Sequence, residues 1–185
     1  MFKQMKILGL AIAICAISSC ATTSIETNKD IASLKPLLKV YVLVDTGDVK
    51  MLSQSKDNSV AAYLREGIEK ALIERSVEAK AVRIGGLELG EASIKKDIDD
   101  YGATSLMTVE LTDGTVRGTY LYSGNIAVSI VDTLLDKTVW KARLKIQDVG
   151  GYGIPVTSMQ DLIDKLFAAM QADELVKQAK VPAKT

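Results

Sequence analysis

The sequence contains no histidine at all, and this absence excludes more chemistry than any other feature of its composition. Without an imidazole the chain can form neither Ser-His-Asp nor Cys-His catalytic centres, nor the usual histidine-containing zinc sites. Cysteine is almost as scarce, since Cys15 and Cys20 are the only two in the sequence. A domain that begins after residue 20 therefore lacks an internal disulfide and must be held together by packing.

The first 19 residues have the three-part pattern of a secretory signal peptide. Lys3 and Lys6 form a positive start, residues 7–17 are uncharged and apolar, and Ser18 and Ser19 are small. The apolar run is about half as long as the ~20 residues that a membrane-spanning helix needs. We therefore predict a signal peptide over residues 1–19, with a buried core helix as the alternative interpretation.

The signal ends in the motif Ile17-Ser18-Ser19-Cys20. This motif resembles the lipobox of bacterial lipoproteins, in which the cysteine thiol receives a diacylglycerol and the chain is cut immediately before it. The resemblance implies a lipid on Cys20 that anchors the protein to a membrane. With Ala21 and not Asp in the next position, it also implies delivery to the outer membrane, with the domain facing the periplasm. Ordinary cleavage after Ser18 is the alternative, because Ala16-Ile17-Ser18 satisfies the small-x-small rule.

The charge balance indicates a chain with no attraction to polyanions. The full sequence has 23 basic and 23 acidic residues, and the loss of Lys3 and Lys6 with the signal leaves 21 against 23, a net charge of −2. A near-neutral domain of this kind gains nothing from counterion release on nucleic acid. We therefore predict no nucleic-acid partner.

Three motifs suggest a ligand site at first sight, and each lacks a required residue. The glycine-rich segments 85–90 and 150–155 precede predicted helices, but neither supplies the cation that a phosphate-binding loop needs. Asp97, Asp99 and Asp100 match the start of a calcium loop, but Tyr101 and Thr108 then occupy ligand positions. We predict no catalytic residue, cofactor or metal site, although a carboxylate pair that meets only in space stays open.

The hydrophobic pattern predicts one folded domain over residues 36–176, preceded by a polar tether over residues 20–35 and followed by a disordered tail over residues 177–185. Its element order is β-α-β-α-β-β-β-α. Predicted strands cover residues 39–45, 79–84, 105–112, 125–134 and 138–147, and predicted helices follow Asn58 or Ser59, cover 92–101 and follow the capping box Thr157-Ser158-Met159-Gln160. The expected fold class is α/β (α+β), in which helices and strands form one domain. It comprises a single mixed sheet of about five strands, two or three helices packed mainly on one face, and a C-terminal hairpin followed by a helix.

The predicted hairpin carries a second resemblance. Val131-Asp132 ends its first strand and Val139-Trp140 lies in its second strand. This pattern looks like that of periplasmic domains related to the curli-secretion lipoprotein and to the amino-terminal domain of the Tol-system translocation protein. Such domains bind partners in the envelope and are not generally enzymes, so the resemblance implies an accessory or scaffold role.

Two groups of residues are candidates for a protein interface. Tyr120 and Tyr122 lie two residues apart on a strand-like segment and could cluster with Tyr152, and tyrosine is enriched at interfaces. The cations Lys141, Arg143 and Lys145 alternate along the second hairpin strand, where they could contact anionic lipid headgroups or an acidic partner. Core burial of the tyrosines and simple solvation of the cations are the alternatives.

These observations favour a lipid-anchored, non-catalytic envelope protein that binds another envelope protein, in an oligomeric state that the sequence does not define. A carrier or sensor of an apolar ligand is the second hypothesis, and a pocket lined by residues such as Met107, Leu144 and Met170 would favour it. An enzyme is the third, and it would need a cleft with convergent ionisable groups.

The lipobox can be tested by replacing its cysteine. Cys20→Ser removes the thiol that would carry the lipid, so we expect the variant to keep its signal peptide, while the unchanged protein gains the mass of a lipid on Cys20. Intact mass of both proteins from membranes of the natural host is the measurement. A mature-sized, membrane-bound Cys20→Ser product would refute the lipobox.

Overall fold

The computed structural model describes residues 21–45, 50–51, 59–84, 91–117, 120–148, 153–155 and 159–179. The predicted signal residues Ile17, Ser18, Ser19 and Cys20, the glycine-rich segment 85–90, Tyr152 and the last part of the predicted tail, 180–185, lie outside these ranges. The elements are, in chain order, β1 (Ala21–Lys29), β2 (Lys39–Asp45), β3 (Lys50–Met51), α1 (Ser59–Glu74), β4 (Glu78–Ile84), α2 (Glu91–Tyr101), β5 (Ser105–Arg117), β6 (Tyr120–Asp132), β7 (Lys137–Asp148), β8 (Ile154–Pro155) and α3 (Gln160–Ala172).

All described strands belong to one open mixed sheet. Six of them lie in the order β1-β7-β6-β5-β2-β4, while β3 pairs with β5 and β8 pairs with β6. Strand β2 runs parallel to both β4 and β5, whereas β5, β6, β7 and β1 are antiparallel neighbours. The predicted fold class is therefore confirmed, with more strands than the five expected.

The extra edge strand corrects the predicted tether over residues 20–35. Residues 21–29 form β1, which pairs with β7 along its whole length, from Ala21 opposite Asp148 to Lys29 opposite Trp140. The segment is polar because an edge strand buries little of its surface; Ile25 packs against the core while Glu26 is exposed. Its threonines and isoleucine have high strand propensity, which the weak periodicity concealed.

One face of the sheet packs against α1 and α3 around a single apolar core. Alternate residues of the central strands point into it, as strand geometry requires. Its fully or nearly buried members include Val40, Val42 and Val44 of β2; Met107, Val109 and Leu111 of β5; Ile126, Val128 and Ile130 of β6; Trp140, Ala142 and Leu144 of β7; Leu64, Ile68 and Leu72 of α1; and Leu162, Ile163, Leu166, Phe167 and Met170 of α3. Helix α2 lies on the other face, since its Asp97 accepts a hydrogen bond from Tyr41, which points away from this core.

Gly67 allows the two core helices to approach each other closely. A Cβ atom at this position would lie 2.3 Å from Cδ1 of Ile163 on α3, far inside van der Waals contact. Glycine within a helix costs about 1 kcal/mol relative to alanine. Its occurrence in the middle of α1 is thus explained by helix packing, which sequence periodicity does not reveal.

The structure describes the start of α3 from Met159 onward. The helix begins at Gln160, and its N-cap residue is Met159, which makes no side-chain capping hydrogen bond. The Gln160 side chain instead donates to Asp164 Oδ1, 2.9 Å away, and accepts from Tyr63 of α1. Thr157 and Ser158 lie outside the described residues, so the capping box stays a prediction.

A small polar cluster fastens β1 to the core. Trp140 is 1% exposed, and its indole Nε1 donates to Asp173 Oδ2 over 2.8 Å. Asp173 caps the C-terminus of α3 and also forms an ion pair with Lys29 at the end of β1. The hydrogen bond from Lys29, followed by that from Trp140, lowers the pKa of Asp173 below its usual value. Strands β1 and β7 and helix α3 thus meet at one carboxylate.

Replacement of the tryptophan should show how much this region contributes to stability. Trp140→Ala removes a large buried ring and its hydrogen bond, so we expect a loss of about 3 to 5 kcal/mol in the free energy of unfolding. Urea unfolding followed by circular dichroism measures it. An unchanged unfolding curve would mean that the ring is not part of the core.

The Asp173 carboxylate should make stability fall in acid. Its folded pKa lies below the value of 3.8 for an unperturbed group, so its contribution is complete above that pH and is lost as the pH falls through the folded pKa. Asp173→Asn should therefore reduce stability at neutral pH and flatten its decline in acid. Urea titrations across the acidic range test this, with the exposed Asp161→Asn of the same helix as control. Equal acid dependence in both variants would contradict it.

Candidate functional site

The candidate site is the half of the sheet face that no described helix covers. On this face β1, β7, β6 and β5 present polar side chains, because the alternate positions of the same strands are used for the core. Glu26 lies opposite Arg143, Arg143 opposite Ala127, and Ala127 opposite Glu110. A second row beside it runs through Asn28, Lys141, Ser129 and Thr108.

These two rows form a shallow groove of about 510 Å³. Its floor is made by short side chains, Ala127 and the hydrogen-bonded pair Thr108 and Ser129, whose hydroxyl oxygens are 2.6 Å apart. Longer charged side chains stand on either side, with Arg143 and Glu110 on strands that flank β6. Because neighbouring strands are about 4.8 Å apart, the two sides are separated by roughly 10 Å. This width suits an extended peptide segment or another narrow polymer.

The three predicted interface cations all lie on this face. Lys141, Arg143 and Lys145 occupy alternate positions of β7 and are exposed. Within the part of the chain that the structure describes, none of them forms an ion pair, although Arg143 lies across from Glu26. Successive cations are about 7 Å apart along the strand. The three cations form an evenly spaced row whose charges are available to pair with the carboxylates of an acidic partner.

The predicted tyrosine group lies at one end of the same sheet. Tyr120 and Tyr122 are both in β6, where Tyr120 pairs with Pro155 of β8. Both contact Gly153: a Cβ atom there would lie 2.9 Å from Cβ of Tyr120 and 3.0 Å from Cζ of Tyr122. Gly153 also has a positive φ of 79°, which favours glycine. The structure therefore brings Tyr120 and Tyr122 together, and Tyr152 lies outside the described residues.

Sequence reasoning missed a second polar cluster, at the contact between α2 and the sheet. Asp97 accepts hydrogen bonds from the phenol of Tyr41 and from Lys80 Nζ, the latter at 2.7 Å. The Lys80 ammonium, followed by the phenol, lowers the pKa of Asp97, while burial and the carboxylate raise that of Tyr41. Tyr101 packs edge-on against Tyr41, with ring centroids 5.9 Å apart. Asp97 thus docks α2 onto the sheet, and the spacing of the three aspartates gave no signal for this role.

The residues that the sequence suggested for an apolar ligand pocket lie in the core and not around the groove. Met107, Leu144 and Met170 are each 0% exposed and belong to the continuous core, whereas the 510 Å³ groove is lined by polar residues of the opposite face.

In the described ranges, no group of three or more Asp, Glu or Cys side chains is placed to hold a metal ion. No described helix has the combined length and apolar character required to cross a bilayer.

Comparison with known proteins gives information on the fold only. No protein-family model and no curated protein matches the chain. Among solved structures, a PelC dodecamer from Paraburkholderia phytofirmans matches over 85% of this chain and 100% of that chain, with a TM-score of 0.50 and 11% identity. A variant of the same dodecamer matches over 82% and 99%, again with a TM-score of 0.50 and 11% identity. At this identity the match shows a similar fold and leaves the function open.

Proposed function

We propose that this protein is a lipid-anchored subunit of the outer envelope that recognises another envelope component and performs no chemistry of its own. The observation that carries the proposal is the polar groove on β1, β7, β6 and β5, which no described helix covers, beside a row of three cations that form no ion pair with a described residue. An exposed β-sheet face with free charge at fixed spacing is suited to hold a complementary surface.

The charges of the groove define the kind of partner. Lys141 and Arg143 line the groove and favour carboxylates, and Lys145 continues their row along β7. Glu110 on β5 and Glu26 on β1 also line the groove and favour cations. An extended protein segment that carries both signs fits this arrangement better than a uniformly anionic polymer. The near-neutral charge of the chain agrees, since it gives no long-range attraction to polyanions.

A second copy of the chain is one candidate for this partner. The PelC proteins with a similar fold are dodecamers, so a sheet of this kind is compatible with assembly from identical copies. Strand β1 is at the edge of the sheet, where its outer backbone groups have no strand neighbour among the described residues. Edge strands and charged faces are both used in subunit contacts.

The groove can be tested by photo-cross-linking in the membranes of the natural host. A benzophenone amino acid in place of Glu110, on the rim of the groove, should give a discrete adduct with one envelope protein or with a second copy. Replacing Lys141, Arg143 and Lys145 together by Gln should abolish this adduct without lowering the melting temperature, because these side chains are exposed and unpaired.

The control variant replaces Lys70, Lys95 and Lys177 by Gln, which changes the net charge equally at exposed positions outside the groove. It should retain the adduct. The same photoreactive group at Ile73, exposed on α1 and on the opposite side of the sheet, should give none. An adduct that survives the groove substitutions, or that forms equally from Ile73, would exclude the groove as the binding surface.

A further inference from the structure

The sheet begins immediately after the cysteine of the lipobox. Ala21 is the first residue of β1 and is paired with Asp148, and Cys20 is the residue before it. Consecutive Cα atoms are about 3.8 Å apart, so a lipid on Cys20 would be attached within a few ångströms of the sheet. A flexible tether of 14 residues would instead allow roughly 20 Å of separation. The anchor therefore fixes one end of the domain at the membrane surface.

The strand register shows which end this is. Ala21 is level with Asp148, the last residue of β7, and Gln147 is level with Ser123 near the start of β6. The same end therefore carries the tip of the β5–β6 hairpin and the short strand β8. The turn between β6 and β7, with Leu134, lies at the other end of the sheet.

The β5–β6 hairpin extends beyond the anchor point. A bulge between Ser123 and Leu121 makes the three residues from Ser123 to Tyr120 span only two residues of β5, about 7 Å, whereas Ala21 lies one residue, about 3 Å, beyond the level of Ser123. Tyr120 thus projects past the start of β1 by one residue spacing, roughly 3 to 4 Å. A bilayer that holds a lipid on Cys20 would therefore lie close to this hairpin and to β8, which is level with Tyr120.

The residue that projects is suited to a bilayer interface. Tyr120 is 44% exposed, whereas the neighbouring Leu121 is 0% exposed and belongs to the core. Tyrosine is enriched at the headgroup level of membranes, since its ring is apolar and its hydroxyl stays hydrated. Pairing with Pro155 and contact with Gly153 fix its backbone. The open face, by contrast, carries Glu26 and Glu110 as well as its cations, and is poorly suited to lie flat on anionic lipid.

We propose that the lipid-anchored domain stands upright on the bilayer, with the β5–β6 hairpin at the membrane and the ring of Tyr120 in the interfacial layer. The inference rests on the proposed anchor at Cys20. In this orientation the groove faces sideways, toward neighbouring molecules in the same membrane. The exposed Leu134 and Leu135 lie at the distal end, away from the lipid.

Depth-dependent fluorescence quenching tests the orientation. Lipidated full-length protein is inserted into vesicles of phosphatidylethanolamine and phosphatidylglycerol that contain phosphatidylcholine brominated near the carboxyl end of its acyl chains. Tyr120→Trp should add an emission that is blue-shifted and lost on bromination, after subtraction of the parent protein with its single Trp140. Leu134→Trp at the distal end and Asn28→Trp on the open face should add emissions that bromination leaves unchanged.

The outcomes separate the orientation from the anchor. If intact mass and flotation show lipidated protein on the vesicles but the Tyr120 reporter is unquenched, the upright orientation is wrong and the anchor stands. Quenching at Leu134 or Asn28 equal to that at Tyr120 would likewise overturn it in favour of a domain lying flat. A protein that lacks lipid and does not float with vesicles would overturn the anchor, and the orientation with it. Each variant is checked by its melting curve, which these exposed positions should leave unchanged.

Discussion

The pairing of β1 with β7 is the interaction on which the arrangement of this protein depends. It joins residues 21–29 to the antiparallel part of the sheet, over nine paired positions. The ion pair between Lys29 and Asp173 and the hydrogen bond from Trp140 to the same carboxylate fasten the far end of the strand to α3. The strand therefore contributes to the core and to the groove, and it would also set the position of the proposed anchor.

The two faces of the sheet have separate roles because strand residues alternate in direction. One set of alternate residues is buried against α1 and α3 in a continuous core, with Met107, Leu144 and Met170 fully enclosed. The other set is polar, and α2 covers only its β2 and β4 part through Asp97, Tyr41 and Lys80. The part of this face that no described helix covers is a charged groove on top of the continuous core, and it is the surface on which the proposed partner would bind.

The match to PelC illustrates how little of a fold depends on particular residues. With 11% identity, most positions differ, yet about four-fifths of the chain aligns. The alternation of apolar and polar residues is enough to place strands and helices, because burial rewards a pattern and not one sequence. Burial does not constrain surface residues such as Arg143 and Tyr120. The similarity in fold therefore gives no information on the proposed partner, which has to be inferred from the groove and hairpin of this chain.

Strong local patterns in the sequence predicted much of the fold. The apolar run of β2, the alternation along β5, β6 and β7, and the helical spacing in α1 and α3 gave the mixed sheet and the helices that cover one of its faces. The burial of Trp140 and the outward row Lys141, Arg143 and Lys145 followed from the same two-residue period. These features depend on neighbours in sequence, which is why sequence alone sufficed for them.

Contacts between distant residues decided the rest. The sequence of β1 was predicted to be a polar tether because an edge strand needs few apolar residues. Its partner strand, β7, lies more than a hundred residues away in the sequence, so no local pattern indicated the pairing. Gly67 is explained only by Ile163 of another helix, and Asp97 only by Tyr41 and Lys80 of the sheet. The sequence motif Ile17-Ser18-Ser19-Cys20 by itself predicts where an anchor would be attached. Only the register of β1, β7 and β6 decided which end of the domain the proposed anchor would hold. The reason is that register is set by contacts between strands that are distant in sequence, and a local sequence pattern does not specify it.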